Sequence, residues 1–155
     1  MDVTFSKTVS ESDIYLFAGI TGDLSPNHVN AEFMKTAPYG QRVAHGALLV
    51  GYMSAASSLA VERGLKVIAG MNPVSLGYDR VRFLKPVFIG DTITVAYKVT
   101  KTDRQNQRSH ADVVITNQHG DTVAVATHIM KWIGGGQPQL TTTSLLQKQG
   151  AFSKD

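Results

Sequence analysis

The spacing of apolar positions changes near the middle of the chain, from a helical repeat before it to strict alternation after it. The opening segment, VTFSKTV, alternates as an edge strand does. Ser10 then introduces SESDIYLFAGITG, where Asp13 follows three residues later in the manner of a capping box and Ile14, Phe17 and Ala18 share a face. This predicts a short helix ended by Gly19 or Gly22. Asn30 is placed to cap AEFMKTAP, a helix that Pro38 must stop. The longest helical stretch, VAHGALLVGYMSAASSLAVERG, is apolar or small all round for about four turns and gains charge only at Glu62 and Arg63. It predicts a buried helix ended by Gly64, and its glycine, alanine and serine residues let strands pack closely around it.

From Val67 onward the period is two. VSLGYDRVRFL, TITVAYKVTKTD, SHADVVITN and TVAVATHIMKWI alternate, with IGD and QHGD as turns, which predicts at least four antiparallel strands. A long buried helix followed by such a meander predicts an α+β hot-dog fold, an antiparallel sheet wrapped around a central helix. A sheet of this kind has an open edge, so a homodimer or higher homo-oligomer is expected. The folded domain is expected over residues 1–133, with 134–155 a Gly-rich linker and polar tail.

At 155 residues and 43% hydrophobic the chain is sized for one domain with a real core. The absence of cysteine excludes disulfides, thiolate metal sites and a cysteine nucleophile. The start lacks the apolar core of a signal peptide, and the longest apolar run, ALLVGYMSAASSLAV, is shorter than the roughly 18 residues of a membrane span. A soluble cytoplasmic protein with no membrane partner is expected. The net charge of +3 and pI near 9.2 come from scattered bases without a Lys/Arg run, which argues against nucleic acid and suits a small anionic ligand equally well.

Candidate chemistry begins in GITGDLSPNHV, which sets Asp23 and His28 five residues apart. Taken alone, the pair reads as a turn acid and a surface histidine. Together with two further stretches, RVAHGALLVGYMS and RFLKPVFIGDTITV, FAGITGDLSPNH resembles the MaoC-like dehydratase family and, within it, the (R)-specific enoyl-CoA hydratases, over roughly residues 5 to 133. The resemblance implies that Asp23 and His28 are a catalytic pair, that the substrate is an acyl-CoA thioester and that no cofactor is required. The chemistry agrees. Adding water to a conjugated thioester needs a base for the water, an acid for the α carbon and a donor for the thioester oxygen. Asp23 is expected to activate the water, and His28 to orient it and help protonate the α carbon. Gly22 and Pro26 shape the loop that aims both.

The donor is expected from the backbone N–H of Gly46 at the start of the long helix, where free amide groups and the helix dipole meet. His45 is expected beside the site in a structural role. The family pattern Asp-x-Asn-Pro-aliphatic-His is altered here, with Ser25 in place of Asn and Asn27 in place of the aliphatic residue. Both changes bear on substrate range, and a polar or branched acyl group is one explanation. Leu48, Leu49 and Tyr52 are expected to limit acyl length. Arg80, Arg82 and Lys85 form the densest basic group and read either as a site for coenzyme A phosphates or as a solvated strand face. His110, His119 and His128 are expected in surface or packing roles. No HExxH or comparable ligand spacing occurs, so no metal is expected. Two rivals share the fold: a thioesterase, which releases free CoA, and a binding module without chemistry.

Overall fold

The computed structural model describes residues 2–64 and 71–134. Along the chain run β1 (Asp2–Thr8), α1 (Glu11–Thr21), α2 (Pro26–Val29), α3 (Ala31–Lys35), α4 (Gly46–Gly64), β2 (Met71–Phe83), β3 (Thr92–Asp103), β4 (Arg108–Thr116) and β5 (Thr122–Gly134). The strands form one antiparallel sheet in the order β1-β3-β4-β5-β2, so β1 and β2 are its edges. The tail expected at 134–155 lies outside the described residues beyond Gly134. Among the described residues no helix is long and apolar enough to cross a membrane.

Alternation decides what the sheet presents to α4. Ile93, Val95 and Tyr97 of β3, Ala111, Val113 and Ile115 of β4, and Ala124 and Ala126 of β5 are buried against Leu49, Tyr52, Met53, Ala56 and Ala60 of α4. Each large aliphatic side chain buried in this way contributes about 1.5–3 kcal/mol. The small residues of α4 are what allow the approach, and the helix lies nearest β1 and β3. This is the hot-dog arrangement expected from the sequence.

One expectation is corrected. The helix is not buried all round, because Ala47, Gly51, Ser54, Ser58 and Glu62 form an exposed stripe along it. Alanine, glycine and serine sit equally well on either face, so the sequence carried no mark of this side.

Strand β2 is irregular. Its pairing with β5 shifts between Ser75 and Gly77 and again between Asp79 and Arg82, where Arg80 takes a left-handed φ of 52°. Bulges and the proline at Pro73 are typical of an edge strand, which has no second neighbour whose ladder they would break. The second bulge sets the final part of β2, and with it Phe83, over the start of α4.

Candidate active site

Four local devices bring the site together. The first is α1, which Ser10 and Asp13 cap reciprocally as the sequence predicts. Gly22 closes the helix with a left-handed φ of 78° and turns the chain so that Asp23 follows at once. The second is α2, a single turn missed in the sequence, with Ser25 as its N-cap and Pro26 at its first position. Serine before proline was the available signal, but four residues are too few to show a helical period.

The third device is Val43. Its N–H donates to the Asn27 carbonyl at 3.0 Å, and its own carbonyl lies 2.7 Å from Nδ1 of His28. Val43 pairs in turn with Phe88, and the Ala44 N–H donates to the Val87 carbonyl at 2.8 Å. The fourth is Arg42, whose guanidinium is paired with Glu11 and bonded to the Tyr15 hydroxyl, tying this segment to α1.

The result is a three-residue cluster. One carboxylate oxygen of Asp23 and one ring nitrogen each of His28 and His45 lie within 4.8 Å of one another. The His28 and His45 rings stack at 3.8 Å between centroids and 28° between planes, and the Phe17 ring of α1 lies tilted against His45 at 4.8 Å. His45 is buried, whereas His28 is partly exposed and Asp23 is open to solvent.

Hydrogen bonds to carbonyls assign the tautomers. A carbonyl can only accept, so Nδ1 of His28 carries the hydrogen it gives to Val43, and Nε2 is left with a free lone pair. In the same way Nε2–H of His45 donates to the backbone carbonyl of Asp23 at 3.0 Å, which leaves Nδ1 of His45 as a buried acceptor without a partner. The Asp23 carboxylate accepts from the Ser25 N–H at 3.3 Å, so Ser25 acts through its backbone rather than its hydroxyl. Asn27 is exposed and contributes its carbonyl. A carboxylate and two imidazoles this close can bind one water between acceptors. The donor set also matches what a divalent cation takes, although one nitrogen of each ring is already committed to the backbone.

Gly46, the residue after His45, opens α4. Its N–H belongs to the first turn, whose amide hydrogens have no partners within the helix. A cavity of about 220 Å³ lies beside it, lined by Tyr39, Val43, Leu49, Phe83 and Pro86 among others. The ring of Phe83 rests directly on Gly46, with Cε2 only 2.6 Å from where a Cβ would stand. Sequence reading gave Phe83 no role. Of the three residues expected to limit acyl length, Leu49 lines this cavity, whereas Tyr52 turns to the core near Phe5 of β1, with Leu48 packed against the same core.

The expected basic group is also corrected. Arg80 and Arg82 line a groove of about 460 Å³ with Asp112, Val114 and Thr127, on the face of the sheet opposite α4, and Arg80 donates to Thr127. Lys85 is elsewhere, bonded to Asp121 at 2.7 Å. Arg80 and Arg82 share a face as alternation predicts, whereas Lys85 is an odd number of residues from both and lies beyond the end of the strand at Phe83. His128 is fully buried and satisfied on both ring nitrogens, a packing role as expected, and His119 is exposed in a turn. His110 is half-buried, with Nδ1 unpartnered.

Comparison with known proteins agrees with the fold and narrows the family. The family described as "MaoC like domain" matches residues 1–134. An (R)-specific enoyl-CoA hydratase of Rhodospirillum rubrum is 38% identical over 97 residues, 63% of this chain and 62% of that protein's length. A 3-hydroxybutyryl-CoA dehydratase of Methylorubrum extorquens is 33% identical over 119 residues, 77% of this chain and 69% of the relative. Among solved structures, an R-hydratase of Pseudomonas aeruginosa superposes with a TM-score of 0.69 at 27% identity, covering 86% of this chain and 81% of the other. The (R)-hydratase of A. caviae reaches a TM-score of 0.72 over 84% and 93% of the two chains, and at 23% identity it speaks for the fold.

Proposed function

This chain belongs to the MaoC-like domain family, and we propose that it adds water reversibly across the double bond of a trans-2-enoyl-CoA to give the (R)-3-hydroxyacyl-CoA. The names of two relatives, an (R)-specific enoyl-CoA hydratase and a 3-hydroxybutyryl-CoA dehydratase, support the reaction class and the (R) configuration. The observation that carries the reading is the convergence of Asp23, His28 and His45 within 4.8 Å, immediately before the free N-terminus of α4.

The hydrogen-bond assignments support the following course for the reaction. A water gives one hydrogen to the Asp23 carboxylate and the other to the Nε2 lone pair of His28. As its oxygen attacks the β carbon, one O–H bond breaks and the proton passes to the Asp23/His28 pair. The π electrons move through the α carbon to the thioester oxygen, where the Gly46 N–H receives the charge, an interaction typically worth about 3–4 kcal/mol of barrier. The pair then returns its proton to the α carbon. One C–O and one C–H bond are formed, and the pair ends as it began. The buried His45 holds the geometry by bonding the Asp23 carbonyl and stacking on His28.

We also propose a homodimer. The apolar side chains Val74, Leu76, Phe83 and Leu84 are exposed on or just after the unpaired edge β2, and the small-residue stripe of α4 is bare. The functional reading is tested by following loss of enoyl-thioester absorbance with crotonyl-CoA, alongside assays for free thiol and product chirality. Hydration to the (R) product without thiol release supports it. Thiol release would instead assign a thioesterase.

A further inference from the structure

Phe83 lies where regular alternation along β2 would not have put it. Tyr78 and Val81 both pack against the core, and Phe83 rests on Gly46, so residues 78, 81 and 83 share the core side of the sheet. Strict alternation would place 78 on the face opposite 81 and 83. The parity changes at the second bulge, between Asp79 and Arg82, where Arg80 holds a left-handed φ of 52° that only glycine adopts freely. Beyond the bulge the pairing resumes with Phe83 opposite Ala124, and the Leu84 N–H donates to the Val123 carbonyl at 2.8 Å, which fixes the backbone under the ring. A strained residue in an edge strand thus serves to aim one aromatic side chain at the start of α4.

The ring presents its face to the helix. Cε2, Cδ2 and Cζ are nearly equidistant, at 2.6, 2.8 and 2.9 Å, from the point where a Cβ of Gly46 would stand, as is the case over the face of a ring. Approached along its edge, the two outer carbons would be distinctly farther away than the middle one. In a helix the Cα–Cβ bond tilts toward the N-terminus, and the free N–H groups of the first turn point the same way. The ring therefore stands beside the space in front of the Gly46 N–H, where the thioester oxygen of the proposed reaction would sit. Gly46 and Phe83 line the same cavity of about 220 Å³, whose other walls include the apolar Val43, Leu49 and Pro86. A hydrogen bond to developing charge is worth more where water is excluded, and a reacting group held against a wall has fewer orientations to lose.

We propose that Phe83 is a positioning residue: its ring walls one side of the space before the Gly46 N–H, keeping water from that amide and directing the thioester oxygen onto it. The inference rests on the hydratase reading for its effect on rate, and a spectroscopic probe tests it apart from that reading. Butyryl-CoA labelled with carbon-13 at the thioester carbonyl is saturated and cannot be hydrated, and a hydrogen bond to that carbonyl moves its carbon resonance downfield. With the full chain and saturating probe, the parent should show the displacement and Phe83→Ala should lose most of it. Phe83→Leu, which keeps an apolar wall, should retain most of it. With crotonyl-CoA, kcat of Phe83→Ala should fall about tenfold or more while KM moves less, and Phe83→Leu should recover most of the loss. A merely structural role for this half-exposed ring would move the unfolding midpoint and leave the displacement in place. The inference would be overturned by no displacement in the parent, by the parent displacement or the parent kcat in Phe83→Ala, or by equal losses in both variants. The expected displacements in a protein that does not hydrate crotonyl-CoA would overturn only the hydratase reading.

Discussion

Replacing Gly46 by alanine tests the packing that frames the proposed oxyanion donor. The added Cβ would stand 2.6, 2.8 and 2.9 Å from Cε2, Cδ2 and Cζ of Phe83. Carbon atoms settle at about 3.5–4.0 Å, so the ring must retreat by about 1 Å. Overpacking of this kind costs about 1–3 kcal/mol. The ring is half exposed and has room to swing outward, which favours the lower part of that range. Alanine in a helix regains about 0.5–1 kcal/mol over glycine, less at the first helical position. The expected net loss is therefore about 1 kcal/mol by urea unfolding. In a Phe83→Ala background the clash is absent, and the same substitution should be neutral or mildly stabilising. The cycle should give a coupling of about 1–2 kcal/mol, well above the ~0.3–0.5 kcal/mol scatter of independent sites. Equal effects of Gly46→Ala in both backgrounds would refute the contact and the placement of Phe83 over the donor.

Three further outcomes follow from the same geometry. His45→Leu removes the bond to the Asp23 carbonyl and the stack on His28, and turnover should fall about tenfold to a hundredfold while KM for crotonyl-CoA changes little. Burial pushes the His128 imidazole down to about 4, whereas the unfolded chain titrates it near ~6.5. The unfolded state thus binds more protons between those values, so the stability tied to neutral His128 is complete above about pH 6.5 and is lost as pH falls toward 4, by a few kcal/mol. Urea unfolding across that range should show the loss, and His128→Gln should flatten it. Chelators should leave turnover unchanged, whereas added Zn²⁺ should inhibit by capturing the donors of Asp23, His28 and His45, reversibly on chelation.

Much of the fold was legible because burial on one face imposes a period. The strand read over 92–103 coincides with β3, and the caps at Ser10 and Asn30 lie where their side chains suggested. The candidate site was legible as Asp23 and His28, five residues apart, with His45 and Gly46 expected beside them. His45 is 17 residues from His28, and nothing along the chain marks the stacking that joins them. Phe83 reaches Gly46 from a bulged edge strand, and a bulge shifts register without a signature of its own beyond Gly77. The exposed stripe of α4 stayed hidden because small residues are indifferent to burial, and Lys85 left the basic group through a pairing with Asp121 in a distant turn.

The central claim is that Asp23 and His28 add water to an enoyl thioester. Its most direct test is the rate of crotonyl-CoA hydration by Asp23→Asn against the parent, with unfolding midpoints measured on both. Asp23 is exposed, and the substitution keeps its shape, so the midpoint should not move. The rate should fall about 10²–10⁴-fold, the usual worth of a positioned acid–base group. A folded Asp23→Asn protein that hydrates crotonyl-CoA at near the parent rate would contradict the account.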